Sequence, residues 1–261
     1  MARRRPKKVS ERRDVLRLGD IDLPVRTITE RGRANARASI TQNGLIIRIP
    51  YGLTAGEREN QISKMLDWAR THFSKKPASF ARFQRRALAS AYTFTIRGKT
   101  YPINLRTKQG GGHGIKIQPD GSVLVTVNEA DPRLERGVLL PKLLAKFFAG
   151  WHLPEVTARV HELNDRHFQR PINVVKLSDT YARWGSCSSK GNINVATRLL
   201  LAPGEVMDAV IIHELAHLVE ANHSARFWAQ VARALPDYKT YDEWLLKHGG
   251  GLLFHPTPLA G

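Results

Sequence analysis

Apolar and polar residues alternate through much of the first half of the chain and recur at helical spacing through the second. The runs ANARASITQ and LIIRIP flank Asn43-Gly44, two alternating segments around a two-residue turn, which predicts a β-hairpin. From 56 to 74 the period lengthens. Ile62, Met65, Leu66, Ala69 and Phe73 share a helical face, with Trp68 near them. The segments YTFTIRGKTYPINLR and HGIKIQPDGSVLVTVN alternate again around Arg97-Gly98 and Asp120-Gly121. They predict two further hairpins, joined through Gly110, Gly111 and Gly112.

After Asp131-Pro132 the texture becomes helical. Helices are expected at 135–149 and 154–168, a strand at 172–177, and a hairpin of 180–187 with 191–197 around Ser189-Lys190-Gly191. Residues 204–221 are apolar around most of a helical circumference, as a buried helix is. Two short helices follow, at 225–235 and 239–247. No internal repeat is visible. The expected class is α+β, with a β-rich N-terminal half. The expected divisions are a mobile tail at 1–15, a β-rich region at 16–134, a second folded region at 135–249 and a C-terminal tail at 250–261.

Composition narrows the picture. The 261 residues, 42% of them hydrophobic, are enough for one large or two small packed domains. A lone Cys187 excludes an intrachain disulfide framework and fits a reducing compartment. No apolar stretch approaches the roughly 18 residues of a membrane span. The opening MARRRPKK has no apolar run behind it, so a cytoplasmic location without membrane contact is expected. The net charge of +18 is uneven: +8 in residues 1–50, +8 in 51–134 and +2 in 135–261. Such an excess suits a solvated surface or a polyanionic partner, DNA or RNA, met first by Arg3, Arg4, Arg5, Lys7 and Lys8.

The chemistry lies in the nearly neutral part. His213-Glu214-Leu215-Ala216-His217 interrupts the buried apolar helix. Histidines at i and i+4 stand one turn apart on one face and can reach one metal, while the glutamate can contact a water on it. This composition yields such a pattern by chance about 0.02 times per chain. Three polar groups buried without a purpose would cost several kcal/mol. A catalytic zinc needs a third ligand, and His223, six residues after His217, is the favoured one. Glu220 is its rival, but it stands about 4.5 Å further along the helix axis than His217. Asn222 is the expected turn residue, in a left-handed conformation, and Ser224 suits the N-cap of the next helix.

Two motifs resemble the YgjP-like metallopeptidases, a zincin-type family related to the SprT-like group. One is Arg183-Trp184-Gly185-Ser186-Cys187 with Lys190-Gly191-Asn192-Ile193-Asn194 and Leu199-Leu200-Leu201-Ala202-Pro203. The other is His213-Glu214-Leu215-Ala216-His217-Leu218 with Asn222-His223-Ser224 and Phe227-Trp228. Val195-Ala196 stands where the family often has Leu-Asn. The resemblance implies a zincin-like catalytic half built on the active-site helix, and one Zn2+ per chain at His213, His217 and His223. It further implies Glu214 as general base toward a zinc-bound water, and a peptide or protein substrate. Tyr181, Arg183 and Trp184 are expected near that substrate. Cys187 is expected to be inert. The competing reading is a nucleic-acid-associated zinc protein, either a DNA-directed protease or a non-proteolytic hydrolase. A purely structural zinc module is disfavoured, since a closed site needs no carboxylate beside it.

Overall fold

The computed structural model describes residues 6–41, 44–77, 80, 83, 89–135 and 137–259. The chain forms two compact units, Met1–Arg86 and Ala87–Gly261.

Among the described residues, the first unit is a four-stranded sheet with one α-helix. Strands β1 (Lys7–Leu18), β2 (Ile21–Arg31), β3 (Arg37–Thr41) and β4 (Gly44–Pro50) precede α1 (Ala55–Lys75). The sheet order is β1-β2-β4-β3, with β2 and β4 parallel and the outer pairs antiparallel. Alternation puts Leu23 and Val25 of β2 and Leu45, Ile47 and Ile49 of β4 on one buried face. The α1 face bearing Ile62, Met65, Leu66, Ala69 and Phe73 packs there. Thr54 starts this helix with a full capping box: its hydroxyl accepts from the Glu57 N–H while Glu57 reaches back to the Thr54 N–H.

The basic start of the chain is not the mobile tail expected for 1–15. Residues from Lys7 onward form β1, paired with β2 from Lys7↔Arg31 to Leu18↔Ile21. Lys7 and Lys8 are therefore strand residues. Charge concealed the strand because its side chains are mostly exposed until Leu16 and Leu18. Glu11 gathers the local cations, accepting from Lys8 at 2.6 Å and from Arg13 and Arg26 at 3.0 Å. Arg3, Arg4, Arg5 and the Asn43 turn position lie outside the described residues.

The second unit begins with β5 (Ala91–Ile96), β6 (Lys99–Lys108), β7 (Gly114–Ile117) and β8 (Val123–Asn128). The short α2 (Pro132–Glu135) and long α3 (Leu139–His167) follow, then β9 (Val174–Ser178), β10 (Gly185–Cys187) and β11 (Asn192–Ala196). A 3-10 turn at Thr197–Leu201 leads to α4 (Gly204–Ala216), α5 (Ala225–Ala234), α6 (Tyr238–His248) and β12 (Thr257–Pro258). One sheet has the order β12-β5-β6-β8-β7 and the other β10-β11-β9. Phe148 of α3 meets Phe94 and Tyr101 of the first sheet at ring separations of 5.5 and 5.1 Å. One continuous core then runs through α3 to Ile193 and Val195 of the second sheet and to α4.

Three expectations change here. The division falls after residue 86 and not after 134, because β5–β8 share a core with α3 and α4. The expected C-terminal tail is ordered: Leu252 and Phe254 are buried, and β12 pairs with β5. The two helices expected around Pro154 are one. Proline forfeits a single hydrogen bond to the Gly150 carbonyl, while burial of Phe148, Val156 and Val160 on both sides holds the helix together. Among the described residues, no helix is long and apolar enough to cross a membrane.

An internal repeat, absent from the sequence reading, is present in the fold. Both units open with two hairpins whose inner strands run parallel, followed by a helix. The parallel register Val25↔Leu45 becomes Ile103↔Val123, each residue displaced by 78 positions. The same shift carries Pro24 onto Pro102, and buried Leu23, Ile47 and Ile49 onto buried Tyr101, Val125 and Val127.

Candidate metal centre

Helix α4 is buried on nearly every side, which fixes the azimuth of its polar residues. His213 and His217 are half-buried on one face, with Glu214 buried beside them. The helix ends at Ala216, not at 221, and His217 is its cap. This early end lets the chain turn back and deliver His223. Ser224 caps α5 as its position predicts, its hydroxyl accepting from the Phe227 N–H at 3.3 Å. Asn222 does not adopt the left-handed conformation expected of it; among the described non-glycine residues only Arg97 and Gln169 have positive φ. The turn closes instead through a Ser224 N–H donation to the Asn222 carbonyl at 2.7 Å.

The structure brings His213, His217 and His223 together, with one ring nitrogen from each within 4.8 Å of the others. The Nε2 atoms of His213 and His223 are 3.0 Å apart. His217 Nδ1 lies 3.2 Å from the Glu220 carbonyl. A carbonyl only accepts, so Nδ1 carries the proton and Nε2 keeps its lone pair. Glu220 thus meets the site through its backbone, and the compact donor set is the three histidines. Phe227, fully buried, lies under all three imidazoles at ring separations of 4.5 to 4.9 Å. Burial and the neighbouring histidines push His213 down to about 4, and burial lowers His217. Both are therefore neutral donors at ordinary pH.

Glu214 turns toward β10. The Cys187 backbone N–H donates to it and the Arg183 charge favours its ionised form, but burial dominates and raises its pKa to about 7. The close approach requires Gly185: a Cβ there would lie 2.5 Å from Glu214 Oε1 and 2.6 Å from Cγ. The Cys187 thiol is pushed up to about 11, first by burial and then by the Glu214 charge, so it stays protonated.

A clamp behind β10 holds this strand. Arg198, 8% exposed, places its guanidinium 3.4 Å from the centroid of the Trp184 ring. It donates to the Gly249 carbonyl at 3.3 Å and the Tyr181 carbonyl at 3.4 Å. Gly249 is required here as well, because a Cβ would come within 2.4 Å of Trp184.

A cleft of about 620 Å³ opens over the histidines. Arg183 and Trp184 line it, with Ser186 and Cys187. Tyr181 does not: its carbonyl and ring are taken by Arg198. The sequence reading missed Asp242, which enters the cleft from α6 and whose pKa burial raises. It also missed Phe227 as the floor and Arg198 as the clamp. The histidine ring partners of Phe227 lie 4 to 14 residues before it and the carbonyl partners of Arg198 lie 17 and 51 residues away, so only the Phe227-Trp228 and Leu199-Leu200-Leu201 motifs drew attention to the regions.

The family described as YgjP-like, metallopeptidase domain, matches residues 34–248. The solved metallopeptidase zymogen of Pyrococcus abyssi, abylysin, is 29% identical over 35% of this chain and 93% of its own, with a TM-score of 0.32. No curated protein matches.

Proposed function

The chain belongs to the YgjP-like metallopeptidase family, and on that premise we propose that it is a zinc-dependent peptidase whose general base is Glu214. The convergence of three imidazole nitrogens within 4.8 Å, with Glu214 buried beside them, carries this reading. Three nitrogen donors suit Zn2+ and leave a fourth position open, the pattern of a catalytic rather than a structural site. His213, His217 and His223 would hold the ion. When bound, zinc supplies a Lewis acid that polarises a carbonyl and acidifies water.

The remaining work falls to side chains and backbone. Glu214, with a pKa near neutrality in the metal-free site, takes a proton from the attacking water and returns it to the leaving amine. The adjacent Arg183 charge favours its ionised form. β10 is the outermost strand of its sheet and borders the cleft, so an extended peptide can add to its edge through backbone hydrogen bonds. The decisive experiment replaces Glu214 with Gln. The variant should keep one zinc per chain and lose peptide hydrolysis by about a thousand-fold or more. Retained hydrolysis removes the base, and a zinc-free wild type removes the metal.

A second reading concerns the first unit, and one observation favours it. Trp68 is 41% exposed and stacks on His72, on a helix that also carries Lys64 and Lys75. Exposed aromatics among cations are how proteins hold single-stranded nucleic acid. Oligonucleotide binding that quenches tryptophan, weakens steeply with salt and falls in Trp68→Ala supports this reading. Salt-independent binding ends it.

A further inference from the structure

We propose that a second, half-open cavity of this unit, bordered by α3 and the ends of β9 and β11, is a binding site for a free apolar α-amino acid. The cavity measures about 560 Å³, within the range of small-molecule sites, and shares no lining residue with the cleft over the histidines. β9 and β10 are the opposite edges of the three-stranded sheet, so cavity and cleft lie at different edges.

Its walls are mostly apolar. Leu139, Leu143 and Leu153 of α3 face Leu177 of β9. The polar groups are few and placed by the topology. Asp179 and Thr197 each follow the last registered pair of the parallel strands, Ser178↔Ala196, so they stand side by side at the strand ends. Thr197 is 1% exposed, and its Oγ1 has no hydrogen-bond partner among the described residues. A buried hydroxyl left unpaired is costly, and a ligand would relieve it. Asp179 lines the cavity while keeping an exposed surface, and desolvation there raises its pKa despite the Lys142 and Arg198 charges near it. Lys142 and Lys146 line the cavity one helical turn apart. The other charged residues there, His113 and Arg133, are both held by Asp131 at 3.0 and 2.6 Å.

This set of groups selects a zwitterion. A ligand carboxylate meets the two lysines, an ammonium meets Asp179, the Thr197 hydroxyl bonds either head group, and an aliphatic side chain lies along the leucines. A plain carboxylic acid would set its charge against Asp179. A plain amine would face two lysines. Glycine would leave the apolar wall in contact with water.

Calorimetric titration of the full chain tests the assignment without reference to peptidase activity. L-Leucine should bind saturably at one site per chain. 4-Methylpentanoate, 3-methylbutylamine and glycine should each bind at least about ten-fold more weakly. Asp179→Asn and the paired Lys142→Met, Lys146→Met change should weaken leucine by about ten-fold, and Leu143→Trp should abolish binding by filling the cavity. Both lysines are exposed, so their replacement leaves the fold intact. The proposal fails if leucine gives no saturable signal, if 4-methylpentanoate binds as tightly, or if Leu143→Trp binds leucine normally.

Discussion

The two hairpin pairs, β1–β4 and β5–β8, share one topology and one spacing, yet among the described residues the histidine cluster lies in the unit of the second. The first ends in a single amphipathic helix and carries 21 Lys and Arg against 8 Asp and Glu, a net charge of +13. The second unit carries 20 against 15, a net charge of +5. Its helix α3 buries both flanks, so a second layer can pack behind it: the three-stranded sheet, α4 and the histidines. The β scaffold is therefore not what makes the site. The site depends on a helix apolar enough to support a further layer.

One glycine in each unit tests this division most severely. Gly44 has φ +116, and a Cβ there would lie 2.1 Å from the Pro24 carbonyl oxygen. Gly44→Ala should destabilise the first unit by about 3 kcal/mol or more, seen as an earlier unfolding transition, and leave hydrolysis by the remaining folded protein unchanged. Gly185→Ala should do the reverse. Its Cβ displaces the Glu214 carboxylate, and activity should fall about a hundred-fold with a small shift in melting. If both variants behave alike, the units are not separable in the way their contacts indicate.

The Arg198 clamp gives the next effect. Arg198→Ala should cost about 3 kcal/mol through the lost Trp184 stacking and two carbonyl bonds. Arg198→Lys should recover part of that stability but less of the activity, because an ammonium cannot stack flat and bond two carbonyls together. Equal recovery of both would make the clamp a packing element alone.

The smallest expected effect is pH-dependent and belongs to the metal-free protein. Glu214 titrates near 7 in the folded chain against 4.5 in an ordinary setting. Between those values the unfolded chain releases a proton that the folded chain retains, so stability falls as pH rises and levels off above about 7. His213, lowered to about 4, opposes this by costing stability as pH falls below its ordinary 6.5. The difference between proteins isolates the glutamate: Glu214→Gln should gain on wild type by at most about 3 kcal/mol across that window in denaturant titrations. A constant difference would mean that Glu214 is ionised in the folded protein throughout.

Several features were legible from residue order because they are local. Turn residues at Arg97-Gly98 and Asp120-Gly121 set their hairpins, and Ser224 set the start of α5. The i, i+4 spacing of His213 and His217 placed two imidazoles on one face before any tertiary contact was known. Other features were hidden for reasons equally physical. β1 escaped notice because an edge strand exposed on most of its length needs no apolar alternation. The repeat escaped because its two copies share burial and register but very few identical residues.

Sequence by itself determined the donor types, their helical phase and the carboxylate beside them, all properties of covalent spacing along one helix. Tertiary structure alone decided that His223 folds back onto that helix, that Phe227 supports the three rings, and that Gly185 presses Glu214 while Arg198 holds the strand beside it. Apart from Phe227 with His223, those contacts join residues 10 to 51 positions apart, as in His213 with His223 and Arg198 with Gly249. Their geometry is set by how apolar layers close around one another, a long-range packing result that no window of sequence contains.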